Sequence, residues 1–217
     1  MPPVISIVGR SASGKTTFIE KLVRELSRRS YRVAVIKHAH QDVAFDRPGK
    51  DSRRYIEAGA WLSIVGSSSE TAFFLPAAPP LAELVRLAGE DYDLILTEGF
   101  KSGPAPKIEV RLRRAGPPLE GLKKLFAIIT DEPVATRLRQ FSHDDFVQVA
   151  NLLEEGYIKP QRRRLSVYIN GGLLTLKSFP RRFITNVILA MVSGLKGVAG
   201  INRLDIHFRR PDGEDSN

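Results

Sequence analysis

The chain of 217 residues contains no cysteine. That excludes disulfides, thiolate metal sites and cysteine nucleophiles, and it fits a reducing compartment. Long apolar runs are missing as well. The best candidate, around Val187 to Val192, is far shorter than the ~20 residues of a membrane helix and is flanked by arginines and a lysine. Carboxylates are scarce in the last quarter. Residues 159–217 hold 11 basic and 4 acidic side chains, whereas 1–158 hold 22 and 20, so most of the net charge of +9 sits at the C-terminal end. Such a segment suits nucleic acid, an acidic partner or a phosphorylated ligand, or is plain solvated surface. Apolar residues make up 42%, enough for a packed core. The N-terminus enters an apolar strand almost at once, so no leader or lipid site is expected, and the expected location is cytoplasmic.

What is present is a phosphate loop. Gly9-Arg10-Ser11-Ala12-Ser13-Gly14-Lys15-Thr16 fits G-x-x-x-x-G-K-[ST] at every fixed position, and Thr17 follows. Before it, Val4 to Val8 is short, β-branched and apolar, as a buried parallel strand should be. After it, Phe18, Leu22, Val23 and Leu26 recur at helical spacing. Glycines let the backbone wrap phosphates, and the helix N-terminus favours the same anion. Lys15 is expected at the β- and γ-phosphates and Thr16 at Mg²⁺.

The rest of the chain reads as alternating strands and helices, an α/β fold with a mostly parallel sheet flanked by helices. Arg32 to Ile36 is a strand ending in Lys37-His38-Ala39-His40-Gln41-Asp42. Asp51 or Ser52 is a candidate cap for a helix stopped by Gly59. Residues 61–66 and 70–75 form a hairpin through Ser67 to Ser69, and Leu81 to Leu87 is a helix. Asp93 to Thr97 is a buried strand leading into Glu98-Gly99-Phe100-Lys101. An acid at such a strand end has the form of a Walker B element, with Glu98 in place of the more usual aspartate.

Lys107 to Leu112 alternates as a half-exposed strand does. Leu125 to Thr130 is another buried strand that delivers Asp131 at its end. Asp131 is placed either to read guanine through N1–H and the 2-amino group or to cap a helix after Pro133. Phe146 to Leu153 is the closing helix of a first domain, 1–158, and 159–164 reads as a linker. Residues 165–211 read as a small basic β-β-α-β domain: strands at 165–169 and 173–176, a helical stripe of Phe183, Val187, Ile188, Met191 and Leu195, and a last strand at 204–208.

The phosphate loop, the segment from Lys37 to His40, Gly49-Lys50-Asp51-Ser52-Arg53 with Ala58-Gly59-Ala60, and Glu98 to Lys101 together resemble the molybdopterin-guanine dinucleotide biosynthesis adapter family, MobB. The resemblance covers roughly residues 3–155. It implies a SIMIBI-class P-loop protein that binds GTP with Mg²⁺, hydrolyses it weakly, forms homodimers and assists the MobA enzyme that attaches GMP to molybdopterin. It implies Gly14, Lys15, Thr16 and Thr17 at phosphates and metal, with Gly9, Ser11, Ala12 and Ser13 completing the loop. It further implies Asp51 and Glu98 near Mg²⁺, and His38, His40 and Lys101 in the shared pocket. Many relatives carry a second histidine after the His40 position; Gln41 stands there in this chain.

Two readings from other classes stand beside it. A P-loop small-molecule kinase would use the same loop, with Arg53, Arg54, Arg111, Arg113 and Arg114 available for an acceptor site. A nucleotide-gated nucleic-acid-binding module would use the basic C-terminal segment, although aromatics are sparse there. A nickel-enzyme metallochaperone would need cysteine or a His-rich tract, and the chain has neither.

Overall fold

The computed structural model describes residues 1–39, 49–161, 164–198 and 200–208. The chain divides into two compact units, Met1–Arg164 and Leu165–Asn217.

The first unit begins with β1 (Val4–Val8), α1 (Lys15–Arg28) and β2 (Val33–Lys37). It continues through α2 (Asp51–Glu57), the strands β3 (Ser63–Gly66) and β4 (Thr71–Phe74), α3 (Leu81–Ala88) and β5 (Leu94–Glu98). It closes with β6 (Lys107–Val110), β7 (Leu125–Ile129), β8 (Arg139–Phe141) and α4 (Phe146–Leu153), which runs on through a π-helical turn to Ile158. Six strands form one sheet in the order β2-β5-β1-β6-β7-β8, and every pairing in it is parallel. β3 and β4 pair antiparallel as a separate hairpin, with the Ser67 hydroxyl accepting from the Glu70 amide across its turn.

Parallel strands need both faces covered, and the two faces here are covered differently. On one face Ile5, Ile7, Leu96, Ile108, Val110 and Ile129 meet Phe18, Leu22 and Leu26 of α1 and Val149 and Leu153 of α4 in one core. The amphipathic spacing of α1 buries that stripe and leaves its charged face outside. Arg29, at the end of α1, ties the two helices by pairing with Glu25 at 2.7 Å and with Glu154 at 2.8 Å.

The other face is mixed and still buried, with Val8, Ile95 and Ile128 beside polar side chains. Thr97 donates to Ser6 between β5 and β1 at 2.8 Å. Here the half-exposed expectation for Lys107 to Leu112 fails. β6 lies in the sheet interior and all four of its residues are buried, Lys107 at 0% and Glu109 at 1% exposure. The alternation is real, but its polar side is covered by loops that it holds. Lys107 donates to the Gly103 and Ala105 carbonyls, and Glu109 accepts from the Leu119 amide at 2.7 Å. Arg111 pairs with Glu132 at 3.0 Å. A charged side chain inside is tolerated when it is partnered this way.

Two further expectations change. Lys50, not Asp51 or Ser52, occupies the cap of α2, which places Asp51 in its first turn where an acid suits the helix dipole. No helix follows Pro133. The Gln140 side-chain amide instead accepts from the Val134 N–H and donates to the Val134 carbonyl, and the chain enters β8, so Asp131 caps no helix there.

The second unit contains β9 (Val167–Ile169), β10 (Gly172–Leu174) and α5 (Ser178–Ser193). The first two pair antiparallel through Asn170 and Gly171, both at positive φ, as a two-residue hairpin turn requires. Among the described residues the expected strand over 204–208 does not form: the segment has no strand conformation, and Ile206 is 61% exposed. The unit as described is β-β-α.

Candidate functional site

Strand order reverses at β1, which has β5 on one side and β6 on the other. In such sheets the crevice at the carboxyl ends of the strands at that point is the ligand site, and the phosphate loop leaves β1 there. Gly9 must be glycine. A Cβ on it would stand 2.2 Å from the Val110 carbonyl oxygen and 2.6 Å from Ser13 Oγ. Gly14, at φ 86°, caps α1 without any side-chain hydrogen bond, so the first N–H groups of that helix are left to a ligand. Ser13 is buried and its hydroxyl has no partner. An orphaned buried hydroxyl in a loop of this shape fits a phosphate oxygen.

Lys15 folds back and donates to the Arg10 carbonyl of its own loop. Burial lowers its pKa, opposed by Glu98 and assisted by Lys101 and Lys37. Lys15 therefore feels the charges of one carboxylate and two further lysines. Thr16 Oγ1 donates toward both oxygens of Glu98, at 3.2 and 3.3 Å, and Lys37 Nζ lies 3.8 Å from the same carboxylate. Hydroxyl and carboxylate oxygens are the donors a hard cation such as Mg²⁺ takes, the remaining positions going to water and phosphate.

His38 joins this edge. Its amide donates to the Glu98 carbonyl and its ring packs edge-on to Phe100 at 5.1 Å. Gly99, at φ 99°, lets the chain turn there, and a Cβ on it would press on His38 Cβ at 3.3 Å. The expected site residues thus fall in two groups. Gly9 through Thr17, Glu98, Lys101 and His38 are gathered round one strand end. Asp51 pairs with Arg54 at 3.3 Å, and among the described residues no cluster of three or more histidines and acids forms a metal cage. His40 and Gln41 lie outside the described residues.

Asp131 stands at the end of β7, two strands or about 10 Å from β1. One of its oxygens accepts from the Arg113 amide at 2.8 Å. It borders a pocket of about 390 Å³ lined also by Thr130, Glu132, Pro133, Gln140, Phe141 and Ser142. Of the arginines set aside for a kinase acceptor site, Arg53 is paired with Glu57, Arg54 with Asp51, and both Arg111 and Arg113 with Glu132.

His143 went unnoticed in the sequence. Its Nε2 lies 3.0 Å from the Arg111 carbonyl, and since a carbonyl only accepts, that nitrogen carries the proton. The ring packs edge-on to Phe18, and its Cε1 would lie 3.2 Å from a Cβ on Gly14. It therefore walls the phosphate loop on the side of the Asp131 pocket. Nothing local marks it, because the contact spans two distant parts of the chain.

The molybdopterin guanine dinucleotide synthesis protein B model, MobB, matches residues 4–131, which include the phosphate loop, Glu98 and Asp131. The molybdopterin-guanine dinucleotide biosynthesis adapter protein of Haemophilus influenzae is 36% identical over 157 residues, covering 70% of this chain and 88% of that protein. The protein of the same name in Escherichia coli is 33% identical, covering 71% and 93%. The crystal structure of Bacillus subtilis MobB superposes with a TM-score of 0.56 at 31% identity, over 70% of this chain and 97% of that one. With the sheet order, the phosphate loop and this similarity in agreement, the chain belongs to the MobB family.

Proposed function

We propose that this chain is a Mg²⁺-dependent GTP-binding adapter in molybdopterin-guanine dinucleotide biosynthesis, with slow GTPase activity. The adapter role is supported by family membership and by its relatives. The nucleotide role is carried by one observation above others: the Thr16 hydroxyl, at the start of the helix that follows the phosphate loop, facing both Glu98 oxygens.

In this reading the α1 N–H groups and Ser13 bind phosphate oxygens, and Lys15 leaves the Arg10 carbonyl for the β- and γ-phosphates. Lys37 and Lys101 add positive charge beside them. Thr16 and Glu98 hold Mg²⁺, which would supply charge neutralisation on the phosphate oxygens when bound. Glu98 is then committed to the metal and is not free to serve as a general base. Hydrolysis rests on positioning and electrostatics alone, hence its slowness.

The pocket beside Asp131 takes the base, with the carboxylate accepting from N1–H and the 2-amino group and Phe141 offering an apolar wall. His143 flanks the path between phosphates and base. The protein partner is a MobA-like guanylyltransferase, and the expected assembly is a homodimer.

Calorimetric titration tests the reading. The native chain with Mg²⁺ binds GTP at least tenfold more tightly than ATP, and purified molybdopterin strengthens that binding. Asp131→Asn reverses the preference toward xanthosine triphosphate, because an amide can accept from N1–H while donating to a 2-oxo group. Preference for ATP, or no change on that substitution, overturns the guanine assignment.

A further inference from the structure

Among the described residues the second unit has no buried core: every buried hydrophobic side chain lies at or before Ile158, and none from 165 to 208 is buried. A unit of about fifty residues is marginal even with a core, and association is a usual remedy. The family model ends at residue 131, before this unit begins.

α5 shows where association would occur. At 100° per residue its apolar side chains divide into two stripes. Ile184, Ile188 and Val192 form one, and all three are half-buried. Phe179, Phe183, Val187 and Met191 form the other, spaced four apart along the whole helix, and they are 69%, 61%, 41% and 70% exposed. Phe179 and Phe183 stack at 6.3 Å along it. The open stripe contains no charge: Arg181 and Arg182 lie off it. Four-residue spacing is also a ridge that packs against the same ridge of another helix at about −50°.

We propose that α5 is a self-association element, packing its Phe179–Phe183–Val187–Met191 stripe against the same stripe of a second copy of this chain about a two-fold axis. The stripe is self-complementary, as such a contact needs. Its exposed apolar surface, with Leu195 at 59% exposure beyond the helix end, comes to about 500 Å² per copy at the usual size of these side chains. Two copies would bury about 1,000 Å², near the lower bound for a specific contact.

Charge decides how the contact responds to salt. Residues 156–204 contain nine lysines and arginines and no carboxylate. Two such segments repel, so salt strengthens their association by screening them. An anionic membrane, a nucleic acid or an acidic protein on the same face would bind more weakly as salt rises.

The absence of native cysteine gives a direct test on the full chain. Phe183→Cys and Val187→Cys are placed on the stripe, and Leu189→Cys, about 140° round the helix from the stripe, is the control. After mild oxidation, at least one stripe variant is expected to run as a disulfide-linked dimer, at least fivefold above the control. In sedimentation the native chain is expected to associate more at 0.5 M than at 0.05 M sodium chloride. A homodimer built through the first unit would tether the stripe positions and the Leu189 control alike, so the excess over the control reads the α5 stripe, and its failure leaves the nucleotide reading intact. No crosslink above the control at either stripe position overturns the proposal, as does self-association that weakens with salt.

Discussion

Gly9 and Lys15 show how narrowly the phosphate loop is specified. A methyl group on Gly9 would meet backbone at 2.2 Å, and the Val110 carbonyl belongs to a sheet strand that cannot easily yield. Gly9→Ala is therefore expected to lower stability by about 1–3 kcal/mol, as overpacking does, and to lose triphosphate binding. Urea denaturation and a binding titration check the two effects. Lys15 carries a second signature. Its pKa is lowered in the free protein, chiefly by burial. A triphosphate favours its charged form, so binding in the alkaline range below the ordinary lysine pKa is expected to take up protons, and affinity should fall as pH rises through the lowered pKa. Calorimetry in two buffers of different ionisation enthalpy measures that uptake, and Lys15→Ala should abolish it. The phosphate loop was legible in sequence because its chemistry is local. His143 was not, because its place beside Gly14 depends on how α4 packs on α1.

At the scale of elements, α1 and α4 are joined by an ion network that titrates. Hydrogen bonds from Arg28 and Arg29 pull Glu25 from 4.5 to about 2, and those from Arg29 and Lys159 do the same to Glu154. Carboxylates depressed in the fold contribute stability that is complete above pH 4.5 and is lost as pH falls through about 2. Acid unfolding is expected to gather in that window. Arg29→Met removes a partner of both acids and should shift the loss of stability toward pH 4.5, which urea midpoints at stepped pH will show. Most elements were readable from periodicity: β1, α1, β5, β7 and α4 stand where apolar spacing places them. β6 misled, since Lys107, Glu109 and Arg111 alternate as a solvent face would. Sequence spacing reports which side is polar, while only the folded loops at 103–105 and 116–119 decide whether that side is wet. β8 was missed because three residues are too few for a pattern, and the last strand was overread because alternation alone does not make a ladder.

In the first unit, a parallel sheet puts all its strand ends on one edge, and that edge gathers Lys37 of β2, Glu98 of β5, Thr16 of α1 and the loop residues Lys101 and Asp131. No helix among the described residues is long and apolar enough to cross a membrane. The sequence predicted a nucleotide at that edge but not the neighbourhood of Asp131, whose pocket needs β8 beside β7. The central claim is that Glu98 and Thr16 hold the metal of a bound triphosphate while Lys15 binds its phosphates. The measurement that tests it most directly is a GTP titration with and without Mg²⁺ on the native chain, Lys15→Ala and Glu98→Gln, with folding checked by circular dichroism. The account predicts that Mg²⁺ strengthens native binding and that Lys15→Ala weakens it about 10- to 100-fold, the size of a charge-assisted hydrogen bond. It also predicts that Glu98→Gln binds equally with and without Mg²⁺. Native-like, Mg²⁺-responsive binding in both folded variants would contradict it.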